Sequence, residues 1–203
     1  MKYRLFKDKH YIIDDGNGHL LLIDTGTPRS FSFGKHIEFE GIILPTSVLS
    51  EKQIKFSKEI IELDVDGFIG MDILRRGFTM TNDTFEFKTY KFENYFDIEF
   101  MNHAIIGKNI EICGHIINPV IDTGAMINYA RKSIIGERKF IGGMYDFNPY
   151  YGSFKSDIYM GTINNRVANI GDRDFGFDAF INPSNLYNEA ISFDFNDMRI
   201  YVK

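Results

Sequence analysis

The stretch Leu22-Ile23-Asp24-Thr25-Gly26 recurs 98 positions later as Val120-Ile121-Asp122-Thr123-Gly124. Chance predicts on the order of 0.07 Asp-Thr-Gly triplets in a chain of this composition, so a pair with matching apolar flanks indicates an internal duplication. The order of motifs continues downstream, where Asp66-Gly67-Phe68-Ile69-Gly70 matches Asp178-Ala179-Phe180-Ile181-Asn182. We therefore predict two homologous lobes, residues 1–97 and 98–203, related by a pseudo-two-fold axis.

Composition and charge are those of an ordinary globular protein. Of the 203 residues 44% are apolar and 25% are charged, and the formal net charge is −5, which excludes disorder and argues against nucleic acid as a partner. The single cysteine, Cys113, excludes an internal disulfide and a multi-cysteine zinc site. No apolar run is long enough to span a membrane, and the N-terminal segment is charged where a signal peptide is apolar. We expect a cytoplasmic protein that does not bind membranes.

Apolar periodicity and turn residues predict an all-β fold with a few short helices. Apolar runs at residues 9–14 and 19–24 flank Gly16-Asn17-Gly18, which is typical of a hairpin turn. Each half ends in another hairpin, one turning at Asn82-Asp83 and the other at Asn196-Asp197.

Further elements are predicted on either side of the two triplets. Strands are expected over residues 93–100 and 109–113, and at the offset of 98 Ile12 aligns with Ile110. A brief helix is expected over residues 70–76 with Gly77 as its stop. Its counterpart begins at Asn182-Pro183, an N-cap followed by proline at the first helical position, and residues 50–63 are a further helix candidate.

The two aspartates have the setting of an acid–base pair. Each follows a strand-like apolar run and precedes a tight turn, where glycine allows the backbone to approach the carboxylate closely. A pseudo-two-fold axis brings Asp24 and Asp122 together. Two adjacent carboxylates do not both ionise readily, so they share a proton and one acts as base while the other acts as acid.

Two apolar-apolar-Asp-Thr-Gly loops, each followed by an apolar-apolar-Gly-like segment, resemble those of the pepsin-like and retropepsin-like aspartic peptidases. The stretch from Asp66 to Leu74, Asp-Gly-Phe-Ile-Gly-Met-Asp-Ile-Leu, is similar to the bacterial single-lobe members. The resemblance extends over nearly the whole chain. It implies a bilobal acid-protease fold with two small β-barrel-like lobes.

The resemblance implies that Asp24 and Asp122 are the catalytic pair of an aspartic endopeptidase, which activates water for attack on a peptide carbonyl without a covalent intermediate. Thr25 and Thr123 match the threonines that hydrogen-bond across the lobes beneath this pair. The implied substrate is an extended polypeptide bound between the lobes. One chain carries both loops, so a monomer suffices, and we expect no metal or other cofactor. The residues predicted to support the pair are Thr25, Gly26, Thr27, Thr123 and Gly124.

The two repeats differ at two positions near the pair. Thr27 follows the first triplet where Ala125 follows the second. We hypothesise that the Thr27 hydroxyl supports the Asp24 carboxylate and makes Asp24 the more readily ionised partner. Asn182 replaces the glycine that Gly70 supplies in the first repeat, and we expect the turn to survive because asparagine tolerates left-handed dihedrals.

The second repeat is longer between its aspartate and the downstream motif, and the extra length falls in an aromatic-rich stretch, residues 145–154. Tyr151-Gly152-Ser153 is similar to the Tyr-Gly-Thr of the pepsin flap. We predict one flap, on the second lobe, that includes Tyr150, Tyr151 and Gly152 and places one of the tyrosines toward the two aspartates. An aromatic hairpin that serves packing alone is the alternative.

A second function stays open at this point. A catalytically silent module could keep the same fold and bind peptides or act as a scaffold. The two intact triplets favour the enzyme, because a decayed module need keep neither.

Overall fold

A computed structural model describes residues 2–7, 10–52, 54–55, 64–112, 115–125, 128–131, 149–155, 162–169 and 176–203. The protein is 46% strand and 7% helix, which confirms the all-β prediction.

The first half of the described chain contains short strands and a short helix, besides the helical residues 51, 52, 54 and 55. These are β1 (Lys2–Lys7), β2 (Tyr11–Asp14), β3 (Leu20–Ile23), β4 (Phe31–Ser32), β5 (Glu38–Phe39), β6 (Ile42–Ile43), β7 (Gly67–Ile69), α1 (Met71–Leu74), β8 (Phe78–Thr81) and β9 (Thr84–Glu86).

The second half repeats this series with additions. Its elements are β10 (Asn94–Met101), β11 (Ala104–Gly107), β12 (Ile110–Ile112), β13 (His115–Ile117), β14 (Pro119–Ile121), β15 (Asn128–Ala130), β16 (Pro149–Lys155), β17 (Thr162–Asn169), β18 (Ala179–Ile181), the 3₁₀ helix η1 (Pro183–Asn185), β19 (Ala190–Asp194) and β20 (Arg199–Val202).

Sixteen strands form one sheet whose order is symmetric about the contact between β19 and β8, apart from two extra strands at one edge. The order is β16-β17-β15-β18-β14-β11-β10-β20-β19-β8-β9-β1-β2-β3-β7-β4. On either side of the contact between β19 and β8 the strands follow in the same order: β20 matches β9, β10 matches β1, β11 matches β2, β14 matches β3, β18 matches β7 and β15 matches β4. Strands β17 and β16 lie beyond β15 and have no counterpart in this sheet. The duplication seen in the sequence is therefore also a duplication of strand pairing.

The seam between the repeats is the antiparallel pair β8–β19. Thr79 pairs with Ser192, Phe78 with Phe193 and Met80 with Ile191. Thr79 and Ser192 are equivalent positions of the two repeats, 113 residues apart. Because these equivalent residues pair with each other, the pseudo-two-fold axis passes between them. Their hydroxyls are hydrogen-bonded at 2.8 Å in a buried setting.

Apolar side chains fill the space on both sides of this seam. The rings of Phe78 and Phe193 stack with centroids 4.4 Å apart, and such pairs are worth about 0.5–1.5 kcal/mol beyond the area they bury. Every residue of β14 and nearly every residue of β3 is buried, as expected of short strands that carry a run of apolar residues without alternation. This burial holds the strand ends from which the two aspartates project.

Most of the predicted elements are present. The hairpins β2–β3, β8–β9 and β19–β20 lie where the turn signals place them. Helix α1 is followed by Gly77 with a φ of +83°, the left-handed stop. The counterpart at Asn182-Pro183 is a single 3₁₀ turn, η1, capped by the Asn182 side chain.

One alignment within the repeat differs from the sequence prediction. Ile12 pairs with Leu22 while Ile106 pairs with Val120, so the counterpart of Ile12 is Ile106. The alignment of Ile12 with Ile110 is wrong, because Ile110 lies in an added hairpin, β12–β13. The division between residues 97 and 98 falls inside β10. In the helix candidate at residues 50–63, Glu51, Lys52, Ile54 and Lys55 are helical, whereas residues 53 and 56–63 lie outside the described residues.

Candidate active site

Parallel strand pairs fix where each aspartate leaves the sheet. In the first repeat Ile23 of β3 is in register with Ile69 of β7, and the N–H of Asp24 donates to the Ile69 carbonyl at 3.0 Å. In the second repeat the N–H of Asp122 donates to the Ile181 carbonyl at 3.0 Å. Each aspartate therefore begins a turn at the carboxyl end of a buried strand. We call residues 24–27 the first aspartate loop and residues 122–125 the second aspartate loop.

The threonines of the two loops are joined by reciprocal hydrogen bonds. The N–H of Thr25 donates to Oγ1 of Thr123 at 2.9 Å, and the N–H of Thr123 donates to Oγ1 of Thr25 at 3.0 Å. Each hydroxyl in turn donates to a strand carbonyl of the opposite repeat, that of Ile121 at 2.9 Å and that of Ile23 at 2.7 Å. Both threonines are buried. All four bonds cross the pseudo-two-fold axis, so the loops are fixed relative to each other by backbone and side chain together.

The two carboxyl groups lie together above this network. Each one packs against the glycine of the opposite loop: a Cβ added to Gly26 would lie 2.7 Å from Oδ2 of Asp122, and one added to Gly124 would lie 2.5 Å from Cγ of Asp24. The carboxyl groups of Asp24 and Asp122 are therefore neighbours, each one seated beside the loop that carries the other. Glycine is needed in both loops because any side chain there would occupy the space of a carboxylate.

The loops supply hydrogen-bond donors to the two carboxyl groups unequally. Oδ1 of Asp24 accepts the N–H groups of Gly26 at 2.9 Å and Thr27 at 3.1 Å, and its Oδ2 accepts the Thr27 hydroxyl at 2.5 Å. The hydroxyl bond expected from Thr27 is present. From its own loop Asp122 accepts the N–H of Gly124 at 2.9 Å, and Ala125 has no hydroxyl to offer.

Burial and the neighbouring carboxylate both raise the pKa of Asp122. Desolvation, followed by the charge of Asp24, raises the pKa of Asp122 to about 7, against the smaller opposite effect of the Gly124 N–H. A pair of this kind holds one proton over a wide range of pH. The unequal donors favour the negative charge on Asp24 and the proton on Asp122. Such an arrangement can take a proton from one group and give a proton to another at the same pH.

The first aspartate loop also rests on the segment around α1. The N–H of Met71 donates to the Thr27 carbonyl at 2.8 Å. The hydroxyl of Ser30 accepts the Gly70 N–H at 2.9 Å and donates to Oδ1 of Asp72 at 2.6 Å. A Cβ at Gly70 would lie 2.6 Å from the Thr27 carbonyl oxygen, so this glycine permits the close contact between loop and helix.

The second repeat makes related contacts with different residues. The N–H of Asn182 donates to Oδ1 of Asn128 at 2.9 Å, as that of Gly70 does to Ser30. Asn182 has φ −70° and ψ 126°, so the turn survives with an extended asparagine and does not use a left-handed conformation. Sequence reasoning missed Ser30, Asp72 and Asn128. The offset of 98 that aligns Ser30 with Asn128 was the available signal.

The segment predicted as a flap belongs to a long hairpin at one edge of the sheet. Tyr150, Tyr151 and Gly152 lie within β16, and Tyr151 is paired with Arg166 of β17. Residues 149–154 therefore form one strand and are not themselves a hairpin. The connection between the two strands and residues 145–148 lie outside the described residues. The direction of the two tyrosine side chains stays a prediction.

The first repeat has a much shorter hairpin at the matching place. Ser32 forms a parallel bridge with Thr46 just after β5–β6, and its counterpart Ala130 pairs in parallel with Asn169 at the end of β17. Strands β5 and β6 have two residues each, whereas β16 and β17 have seven and eight. The extra length of the second repeat therefore includes an extended version of a hairpin that both repeats possess.

No family model matches the chain, and no curated protein matches it. Within the described ranges, no helix is long and apolar enough to cross a membrane. The same part of the chain contains no group of three or more His, Cys, Asp and Glu side chains placed to hold a metal ion.

Proposed function

We propose that the protein is an aspartic-type endopeptidase with the bilobal acid-protease fold, each repeat being one lobe. The observation that carries this proposal is the pair of neighbouring carboxyl groups, each packed against the glycine of the opposite loop and unequally supplied with hydrogen-bond donors. An inert pair of turn aspartates would have no need of a shared proton, and placing two carboxyl groups together is unfavourable for folding.

The proposed reaction uses one water molecule and no covalent intermediate. The Asp24 carboxylate takes a proton from water as the water oxygen bonds to the scissile carbonyl carbon, and Asp122 gives its proton to the carbonyl oxygen. The resulting gem-diol then breaks down. The proton now on Asp24 moves to the amide nitrogen as the C–N bond breaks, and a hydroxyl proton returns to Asp122. Acid–base catalysis of this kind contributes about 10²–10⁴-fold, and the rest comes from positioning and electrostatics.

The proposed substrate is an extended polypeptide that lies over the two aspartates between the lobes. The β16–β17 hairpin is the candidate for the element that covers it, because it is the longer of the two equivalent hairpins. Closure over the substrate would exclude water from the acid–base pair. One chain supplies both carboxyl groups, so the proposed mechanism does not require a second copy.

Hydrolysis of a peptide library from about pH 3 to about pH 8 tests the proposal. The wild-type protein is compared with Asp24→Asn and Asp122→Asn, and with Asp97→Asn as a control, because Asp97 is exposed and paired with Arg199. We expect cleavage that is inhibited by pepstatin and lost in the first two variants but kept in the control. Cleavage that persists in both dyad variants contradicts the mechanism. Peptide binding without cleavage by the wild type would support the silent module.

A further inference from the structure

The two aspartate loops are held in place by different kinds of amide. In the first repeat the backbone N–H of Met71 donates to the Thr27 carbonyl at 2.8 Å. The residue that matches Met71 in the second repeat is Pro183, which has no N–H. There the side-chain Nδ2 of Asn182 donates to the Ala125 carbonyl at 2.9 Å. The asparagine thus replaces the donor that the proline removes.

The Asn182 side chain is buried and fixed at both ends. Its Oδ1 accepts the N–H of Ser184 at 2.9 Å while its Nδ2 donates to Ala125. Its own N–H is bound by Asn128 at 2.9 Å. The amide orientation follows from these partners, because Oδ1 meets an N–H donor and Nδ2 meets a carbonyl acceptor.

The hydrogen bond to Ala125 holds the second aspartate loop, which supplies its carboxyl group with fewer hydrogen-bond donors than the first loop does. Ala125 follows Gly124, whose N–H is the donor that the second aspartate loop gives to Asp122. Thr27 adds a hydroxyl and an N–H at the matching place in the first loop. The position of the second carboxyl group therefore depends more strongly on where the Ala125 peptide is held.

We infer that Asn182 is a positioning residue for Asp122, acting through the Ala125 carbonyl, and that Asn182 and Pro183 form a compensating pair. This inference rests on the proposed function. The alternative role for Asn182 is structural, as the cap of η1 alone. The two roles differ in what a backbone N–H at position 183 would do, because it could replace the donor to Ala125 but could not replace the cap.

A double-mutant cycle of Asn182→Ala, Pro183→Ala and the combined variant tests the inference. Asn182→Ala is expected to lower kcat by about 10- to 100-fold with little change in KM, because the second carboxyl group is displaced. Pro183→Ala keeps the asparagine donor and is expected to retain wild-type kcat. In the combined variant the new N–H of residue 183 donates to Ala125, and kcat is expected to return to within about threefold of wild type.

A combined variant that is as impaired as Asn182→Ala overturns the inference, and so does an unchanged kcat in Asn182→Ala. If Asn182→Ala does not fold by circular dichroism, the test moves to Asn182→Gly/Pro183→Met, which copies the first repeat. That variant is expected to fold and to cleave any peptide that the wild type cleaves, and its failure to do either overturns the inference.

A carboxyl ¹³C titration of Asp122 separates this inference from the proposed function, since it needs no activity. Weakening the Gly124 donor is expected to raise the pKa of Asp122 in Asn182→Ala, and the combined variant is expected to restore it. If the wild type cleaves nothing and this pattern appears, the proposed function fails and the positioning role stands. If the wild type cleaves and the pKa of Asp122 is the same in all variants, the positioning role fails alone.

Discussion

Moving the loop hydroxyl should shift the pH dependence of the acid–base pair in a direction set by which loop carries it. Thr27→Val removes the hydroxyl that donates to Asp24 Oδ2 at 2.5 Å, and Ala125→Ser offers a new hydroxyl to Asp122. A hydrogen bond to a charged group is worth about 1.5–3 kcal/mol, and one pKa unit corresponds to about 1.4 kcal/mol, so each change is worth about 1–2 units.

The direction of each shift in the pH profile depends on which protonation form of the carboxyl group the donor stabilises. Activity of the wild type is expected to fall as pH rises through about 7, because Asp122 then loses the shared proton. Ala125→Ser stabilises the ionised carboxylate, lowers the pKa of Asp122 and moves this basic limb down by about 1 unit. Thr27→Val removes a donor from the carboxylate of Asp24, so the acidic limb of the profile moves up by about 1 unit.

The assay is kcat/KM for a fluorogenic peptide from about pH 3 to about pH 9, together with carboxyl ¹³C titration. Thr27→Ser is the matched control, because it keeps a hydroxyl at the same place, and its profile is expected to overlay that of the wild type. Limbs that do not move in either variant, or that move in the same direction in both, refute the assignment of Asp24 as the base and Asp122 as the acid.

Three further predictions concern stability and the loop glycines. The folded protein keeps the Asp122 proton to about pH 7, whereas the unfolded chain releases it near 3.8. The free energy of unfolding therefore falls as pH rises between these values. Urea unfolding should show Asp122→Asn to be about 2–4 kcal/mol more stable than wild type at pH 8 and similar to it at pH 4. In Gly124→Ala the new Cβ lies 2.5 Å from Cγ of Asp24, so kcat should fall at least about 100-fold while the circular dichroism spectrum is retained; a nearly normal kcat would contradict the packing argument. Thr79→Val removes the hydroxyl that bonds to Ser192 and to the Lys88 carbonyl at the seam, while Ser192 keeps the Tyr90 N–H. It should cost about 1–3 kcal/mol in urea unfolding, and the added cost of Ser192→Ala in the double variant should be smaller than its cost alone.

The sequence predicted those features that depend on neighbours in the chain or on the repeat itself. The Asp-Thr-Gly triplets located both aspartate loops, because a strand end followed by a tight glycine turn is a local property. The turn residues at Asn82-Asp83 and Asn196-Asp197 located two hairpins for the same reason.

Features that depend on residues distant in the chain were not predicted. The support of the first aspartate loop by Ser30 and Asp72 joins positions 42 apart, and neither residue type is diagnostic of a site. The exchange of a backbone donor for the Asn182 side chain required knowing that Pro183 faces the loop. The error at Ile110 arose because the hairpin β12–β13 changes the offset upstream of β14, and a constant offset cannot represent an insertion.

The self-complementary pairing of β8 with β19 bears on the origin of the chain. A half-length ancestor with one copy of this strand could have joined to an identical copy through the same register, with equivalent hydroxyls meeting on a true symmetry axis. In such an assembly every substitution would appear twice. Fusion into one polypeptide would remove that constraint, and the two repeats of this chain do differ in the length of one hairpin, in Thr27 against Ala125 and in Gly70-Met71 against Asn182-Pro183.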